Sequence, residues 1–237
     1  MGILLGRKKP KNFLLSFLYR IQKLLPLSRK RKLHLFLDLE WIFDRLSHEL
    51  SFKHYSVKDH PFWKFSYRVL YSNIKSSDRI LDLGCHFGNI SFNLAEKAKE
   101  VIGVDHNANS IQTAKSRHQR DNLTYVHADA FEYLSNNKEK FNVLILSHIL
   151  EHLDNPKEFL NKFKTFFENI YIEVPDFDRY LLNHYRKDLD VKLNYSDDDH
   201  VSEFDRDEIT QILHDCNIDI LQAEWRYGVQ RLWCKVK

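Results

Sequence analysis

Thirteen consecutive residues constrain this chain more than any others: Arg79-Ile-Leu-Asp-Leu-Gly-Cys-His-Phe-Gly-Asn-Ile-Ser91. An apolar run suited to a buried strand passes through a glycine-punctuated turn into the start of a helix. Such a turn lets the backbone approach a ligand and leaves the N–H groups of the next helix free to donate. Only six glycines occur in the chain, and Gly84, Gly88 and Gly103 fall within twenty residues. Glycine so clustered marks positions where a side chain would obstruct something. Further on, Val101-Ile-Gly-Val-Asp105 ends a second apolar run on a carboxylate, placed to accept hydrogen bonds from ribose hydroxyls. The plainer alternative is that Asp82 and Asp105 only cap turns.

The surrounding pattern repeats this unit. Short apolar runs at Arg79–Leu83, Val101–Val104, Leu123–Val126, Phe141–Leu146 and Ile170–Val174 read as strands. Helix candidates lie between them near 89–98, 107–119, 130–136 and 156–167. That alternation predicts a parallel sheet with crossover helices. A helix near 205–216 is followed by two runs, 218–224 and 229–236, separated by Gly228, which predict an antiparallel hairpin. The expected fold is therefore α/β, Rossmann-like, with a seven-stranded and mostly parallel sheet.

Ahead of this region, three helical stretches predict a preface of about 75 residues: 12–25 closed by Pro26, 32–50, and one after Pro61. Charge divides the chain at the same end. Residues 1–32 hold ten Lys or Arg and no acid, so of the net +3 the remaining residues carry −7. No stretch of about 18 apolar residues exists to span a membrane, and Arg20 and Lys23 interrupt the N-terminal apolar run expected of a signal peptide. Three scattered cysteines, Cys85, Cys216 and Cys234, argue against a disulfide framework and for a reducing compartment. The expected location is cytoplasmic, peripheral at the inner membrane face.

The segments LDLGCHFGN, VIGVD and HADAF resemble the first three motifs of class I S-adenosylmethionine-dependent methyltransferases, across residues 75–237. The resemblance divides the chain into a basic amphipathic helical extension, 1–74, and a methyltransferase domain, 75–237. It implies that Asp82 and Gly84 hold the methionine portion of S-adenosyl-L-methionine, Asp105 the ribose, and Asp129 the adenine amino group beside Ala130 or Phe131. Cys85, His86, Gly88, His106 and Ser147 complete the implied cofactor set. His86 stands where the family usually has a glycine, so its side chain is expected to point away from the cofactor. Gly-x-x-x-Gly lacks the dinucleotide fingerprint spacing, which argues against a nicotinamide oxidoreductase.

The fourth strand runs into Ser147-His148-Ile-Leu-Glu151-His152, and Asp197-Asp-Asp-His200-Val-Ser-Glu203 follows much later. On a helical turn His148, Glu151 and His152 are neighbours. The pair of segments resembles the metal-dependent small-RNA 2′-O-methyltransferases, and a related Glu-His element occurs in ubiquinone-pathway O-methyltransferases. By that resemblance Glu151, His152 and His200 hold a divalent cation, with His148 replacing a Glu. Histidine-rich ligands suit Zn, Mn or Fe better than Mg. A single catalytic base at His148 or His152 is the rival reading, and a structural role for Glu151 and His152 the plainer one. The His-x-x-Glu-His spacing also occurs in inverted zinc peptidases, but here it follows a buried strand.

Beyond "IEVP" at 172–175, the aromatics Phe177, Tyr180, Tyr185 and Tyr195 with Arg179 and Arg186 either line an acceptor pocket or form a helix pair on the sheet. The expected activity is O-methylation of a small-molecule, sugar, glycolipid or isoprenoid-type hydroxyl. RNA 2′-O-methylation and a non-catalytic scaffold are the alternatives, and the acidic body disfavours nucleic acid. Residues 1–32 read as a basic amphipathic arm for an anionic membrane surface, as a helix docked on the domain or on a second subunit, or as a contact to nucleic-acid phosphates.

Overall fold

The computed structural model describes residues 12–56, 59–137, 139–197 and 199–237. The basic residues Arg7, Lys8, Lys9 and Lys11 of the expected arm lie outside them. Three helices open the fold: α1 (Phe13–Leu24), α2 (Arg29–His54) and α3 (Pro61–Asn73). Their starts follow local chemistry. The Asn12 side chain accepts from the Leu15 N–H, and Ser28 accepts from the Arg31 N–H, satisfying donors that a helix N-terminus leaves open. Proline at the first position of α3 forgoes only an N–H that would be unpaired there.

Strands and helices then alternate: β1 (Arg79–Leu83), α4 (Asn89–Leu94), β2 (Glu100–Asp105), α5 (Ala108–Arg117), β3 (Leu123–His127), α6 (Ala130–Asn136), β4 (Val143–Ser147), α7 (Pro156–Phe163) and β5 (Asn169–Pro175). The chain continues through α8 (Leu181–Leu189), α9 (Arg206–Asp215), β6 (Ile218–Arg226) and β7 (Val229–Val236). All seven strands join one sheet in the order β3-β2-β1-β4-β5-β7-β6. β1 to β5 pair in parallel, and β7 runs antiparallel between β5 and β6. The aromatic segment after Pro175 gives a short 3-10 turn, Phe177–Arg179, followed by one α-helix, α8. The helix expected over 89–98 ends at Leu94, and the strand expected from Phe141 begins at Val143.

Both faces of the sheet are covered, which is why its strands read as continuous apolar runs. In β4, Val143 and Ile145 face a cluster with Val69 and Leu70 of α3 and Leu94 of α4. Leu144 and Leu146 face the other way, toward Phe159, Leu160 and Phe163 of α7 and Leu213 of α9. The strand order reverses between β1 and β4, and the crevice at such a switch point is where open α/β sheets bind ligands.

Candidate active site

At the end of β1 the backbone turns through three left-handed residues, Gly84 (φ 67°), His86 (φ 48°) and Gly88 (φ 76°). The turn is tied to β2: Gly84 and Cys85 donate to the Val104 carbonyl, and the His86 N–H donates to Asp105 Oδ2 at 2.8 Å. Asp105 Oδ1 accepts from the Asn107 N–H, and Asp129 Oδ1 accepts from the Glu132 N–H as the cap of α6. These carboxylates therefore do cap turns, and they line a cavity as well.

That cavity, of about 710 Å³, is bounded by Asp82, Gly84, Cys85, His86, Asp105, His106, Asp129, Ala130 and Ser147, with Phe131, Ile149 and His152 among its other walls. Asp82, Asp105 and Asp129 come from the ends of β1, β2 and β3, so carboxylates punctuate one crevice whose remaining walls are largely apolar. That set fits an elongated ligand with an amino group, ribose hydroxyls and an adenine amino group. Gly88 departs from the expected cofactor set because it does not line the cavity. A Cβ there would lie 2.3 Å from the Tyr125 hydroxyl, which donates to the Gly88 carbonyl; the glycine makes room for Tyr125. The His86 ring is exposed and lies against Phe87, ring centroids 3.7 Å apart, at the cavity rim. Cys85 is buried beside Asp82 and Asp105; desolvation and those charges push its thiol far above its ordinary range, so it is no nucleophile.

Where β4 ends, the chain makes another left-handed step at His148 (φ 55°) and enters a short 3-10 turn, Leu150–His152. This step aims His148 between two buried carboxylates: Nδ1 lies 2.9 Å from Glu151 Oε1, and Nε2 lies 3.5 Å from Glu173 Oε1. Burial disfavours the imidazolium, but the two carboxylates outweigh it and raise His148 to about 10. Glu173 in turn receives Arg231 Nε at 2.9 Å and the Tyr171 hydroxyl. Although desolvation opposes ionisation, His148 and Arg231 hold Glu173 down to about 2. His148 is thus a cation with both ring nitrogens turned to carboxylates. With both nitrogens facing carboxylates it is poorly placed to accept a proton, and although it bonds to Glu151 it is not among the residues whose ligand atoms converge, which argues against both roles expected for it.

The other three expected ligands do converge. One ligand atom from each of Glu151, His152 and His200 lies within 4.8 Å of the other two. The His152 and His200 rings stand 4.8 Å apart, edge to face, across 48 residues of sequence. The backbone makes this contact: Val201 and Ser202 both donate to the Glu151 carbonyl. Glu151 is fully buried, and its Oε2 has no hydrogen-bond partner among the described residues. His200 Nδ1 is held 3.0 Å from Glu203 Oε1, the carboxylate support usual behind a metal-binding histidine. An orphaned buried carboxylate oxygen beside two imidazoles fits a divalent cation, and with two nitrogen donors it fits Zn, Mn or Fe better than Mg. Asp197 and Asp199 form a second such group with His200; the sequence placed them beside His200 without indicating that role.

A smaller cavity of about 350 Å³ adjoins the first, and Phe52 and His148 line both. Phe177, Tyr180, Tyr195, Arg179 and Arg186 line it as expected, while Tyr185 does not. Its roof was missed: α2 contributes Glu40, Trp41, Asp44, Arg45 and His48. These recur at helical spacing, but a polar face on a leading helix reads as a solvated one.

Residues 60–223 match the family model described as a methyltransferase domain. The chain belongs to this methyltransferase family. The methyltransferase has S-adenosylmethionine as its cofactor. Its fold resembles magnesium protoporphyrin IX methyltransferase from Synechocystis PCC 6803 with bound SAH (TM-score 0.56, 15% identity, covering 98% of this chain and 90% of that one). It also resembles a Haloferax volcanii complex of the Trm112 methyltransferase activator with a methyltransferase (TM-score 0.58, 13% identity, 73% and 89% covered). Among curated relatives, a 23S rRNA (uracil(1939)-C(5))-methyltransferase of Shewanella frigidimarina is 48% identical over 64 residues, 26% of this chain and 14% of that protein. The ubiquinone biosynthesis O-methyltransferase of Pelagibacter ubique is 27% identical over 95 residues, 38% and 40% respectively. The methyltransferase thus spans well under half the length of these relatives.

Proposed function

We propose that this methyltransferase transfers a methyl group to a hydroxyl of a small-molecule, sugar, glycolipid or isoprenoid-type acceptor, with a divalent cation held by Glu151, His152 and His200. One observation carries the reading: His152 lines the cofactor cavity and His200 the smaller one, so the ligand triad sits at their junction. S-adenosylmethionine supplies a methyl group on a sulfonium for in-line displacement, a reaction helped chiefly by positioning. A cation at the triad would lower the pKa of the acceptor hydroxyl, which is otherwise a poor nucleophile. The protein's own share is preorganisation. The His148 cation fixes Glu151, Glu203 fixes His200, and α2 with the Phe177–Tyr180 segment shields the acceptor from water. Without a metal, His152 is the residue placed to accept the proton.

RNA 2′-O-methylation remains the second reading, supported by the likeness of the Glu151-His152 and His200 pattern to small-RNA methyltransferases. The roofed pocket of about 350 Å³ suits a compact acceptor better. The test is calorimetric titration with S-adenosylhomocysteine, followed by an acceptor screen with and without chelator. The proposal expects micromolar cofactor binding, and turnover of a hydroxyl acceptor that chelation removes and Zn, Mn or Fe restores. Methylation of RNA alone would favour the second reading, and absence of cofactor binding a scaffold role.

A further inference from the structure

The first two helices are folded with their apolar sides outward. None of the α1 residues is buried; Phe13, Leu14 and Leu24 are 85%, 62% and 83% exposed. In α2 the polar stripe faces the protein: Trp41 donates to the Tyr195 carbonyl, Arg45 to Ser196 and Asp197, and Glu40 and Asp44 pair with Arg186 and Arg179. The opposite face leaves Phe43, Leu46 and Leu50 49–64% exposed.

A second anomaly sits at the junction of these helices. The first turn of α2 holds Arg29, Lys30, Arg31 and Lys32 with no acid, where the helix dipole already presents partial positive charge and favours anions. Arg20 and Lys23 of α1 add to the same region, and residues 12–32 contain no carboxylate side chain. The result is a concentrated cation patch beside exposed phenylalanine and leucine.

We infer that α1 and the outward face of α2 are an in-plane docking surface for an anionic lipid bilayer. Headgroups neutralise the cations at the α2 N-terminus, and the acyl boundary takes the apolar side chains. A second copy related by a two-fold axis would bring like charges together. RNA would pair the cations but leave the apolar residues in water. At 12 residues, α1 is about 18 Å long, too short to cross a hydrocarbon core of about 30 Å. Among the described residues no helix is long and apolar enough to do so. Because the inner face of α2 roofs the smaller cavity, docking sets that cavity about one helix diameter, 10 Å, from lipid.

The test is co-sedimentation of the full chain with phosphatidylcholine vesicles containing or lacking phosphatidylglycerol. Binding to the anionic vesicles alone, weakening as salt rises, is expected. Phe13→Ser/Phe17→Ser and Arg29→Glu/Lys30→Glu/Arg31→Glu should each weaken it, the latter on the order of a hundredfold. Acids in the first turn favour the helix, so that loss would not reflect unfolding. S-adenosylhomocysteine affinity serves as the folding control and reports separately on the methyltransferase reading. Equal binding by the variants, or no binding by the parent, would overturn the inference. A concentration-dependent dimer without vesicle binding would also overturn it and assign the face to a second copy.

Discussion

Asp82 lies under the β1 turn with 1% exposure, receiving the Ser91 hydroxyl. Burial raises its carboxyl to about 7, with Ser91 opposing and Asp105 adding to the shift. The folded protein therefore binds this proton more tightly than the unfolded chain, where an aspartate titrates near about 4. The associated stability is present below about pH 4 and is lost as pH rises to about 7. Asp82→Asn escapes that loss, so its melting temperature should gain on the parent by about 5 °C between pH 5 and pH 8, while S-adenosylhomocysteine affinity falls. A gap independent of pH would mean Asp82 is ionised throughout. His86 is a separate case, because its left-handed φ carries a strain that glycine avoids. After allowing for the extra freedom of an unfolded glycine, His86→Gly should stabilise by up to about 1 kcal/mol in urea unfolding; a loss would show that the stack on Phe87 outweighs the strain. At the triad, Glu203→Gln should weaken metal affinity about tenfold in chelator competition. Unchanged affinity would remove His200 from the ligand set. Asp82, Asp105 and Asp129 were legible because each lies at or just beyond the C-terminal end of a strand in a repeating unit. The partner of His148 was not: Glu173 looked like one charge in an apolar run, and only strand pairing brings Arg231 beside it.

At the level of elements, the sheet and its crossover helices follow from periodicity; the Asn107 cap moves the start of α5 by one residue, and the Asn155 cap fixes the start of α7 where it was expected. The sequence misleads at α2, whose apolar residues suggest an inward face while the structure turns the polar stripe inward. The reason is the α8 segment: Arg186 is 2% exposed and reaches the Leu37 carbonyl and Glu40, so α2 must bring a carboxylate to it. Removing one member of a buried pair strands the other. With the Glu40 side chain one-third exposed, Glu40→Leu should cost about 2 kcal/mol after allowing for screening. Hydrogen exchange should quicken over 29–54 and 181–189 more than over β1 to β5. Uniform acceleration would show that α2 melts only with the whole domain.

For the molecule as a whole, apolar clusters on both faces of the sheet make the strands rigid and leave ligand binding to their C-terminal ends. A cofactor seated across β1, β2 and β4 binds only the folded state, so S-adenosylhomocysteine at a hundred times its dissociation constant should add about 2.7 kcal/mol. Denaturant unfolding with and without the ligand measures this, and a null result would contradict a preformed cavity. The strand order adds a matter of timing. β7 is inserted between β5 and β6, and its Arg231 is the fully buried counter-charge of Glu173, to which His148 and then Glu151 are linked. On the ribosome β1 to β5 emerge first and can pair while residues 229–236 are still being made. During that interval Glu173 lacks its arginine and the ligand triad lacks its electrostatic support. The charge relay from Arg231 through Glu173 to His148 and Glu151 is therefore completed only when β7 enters the sheet, after β1 to β5 are available to pair.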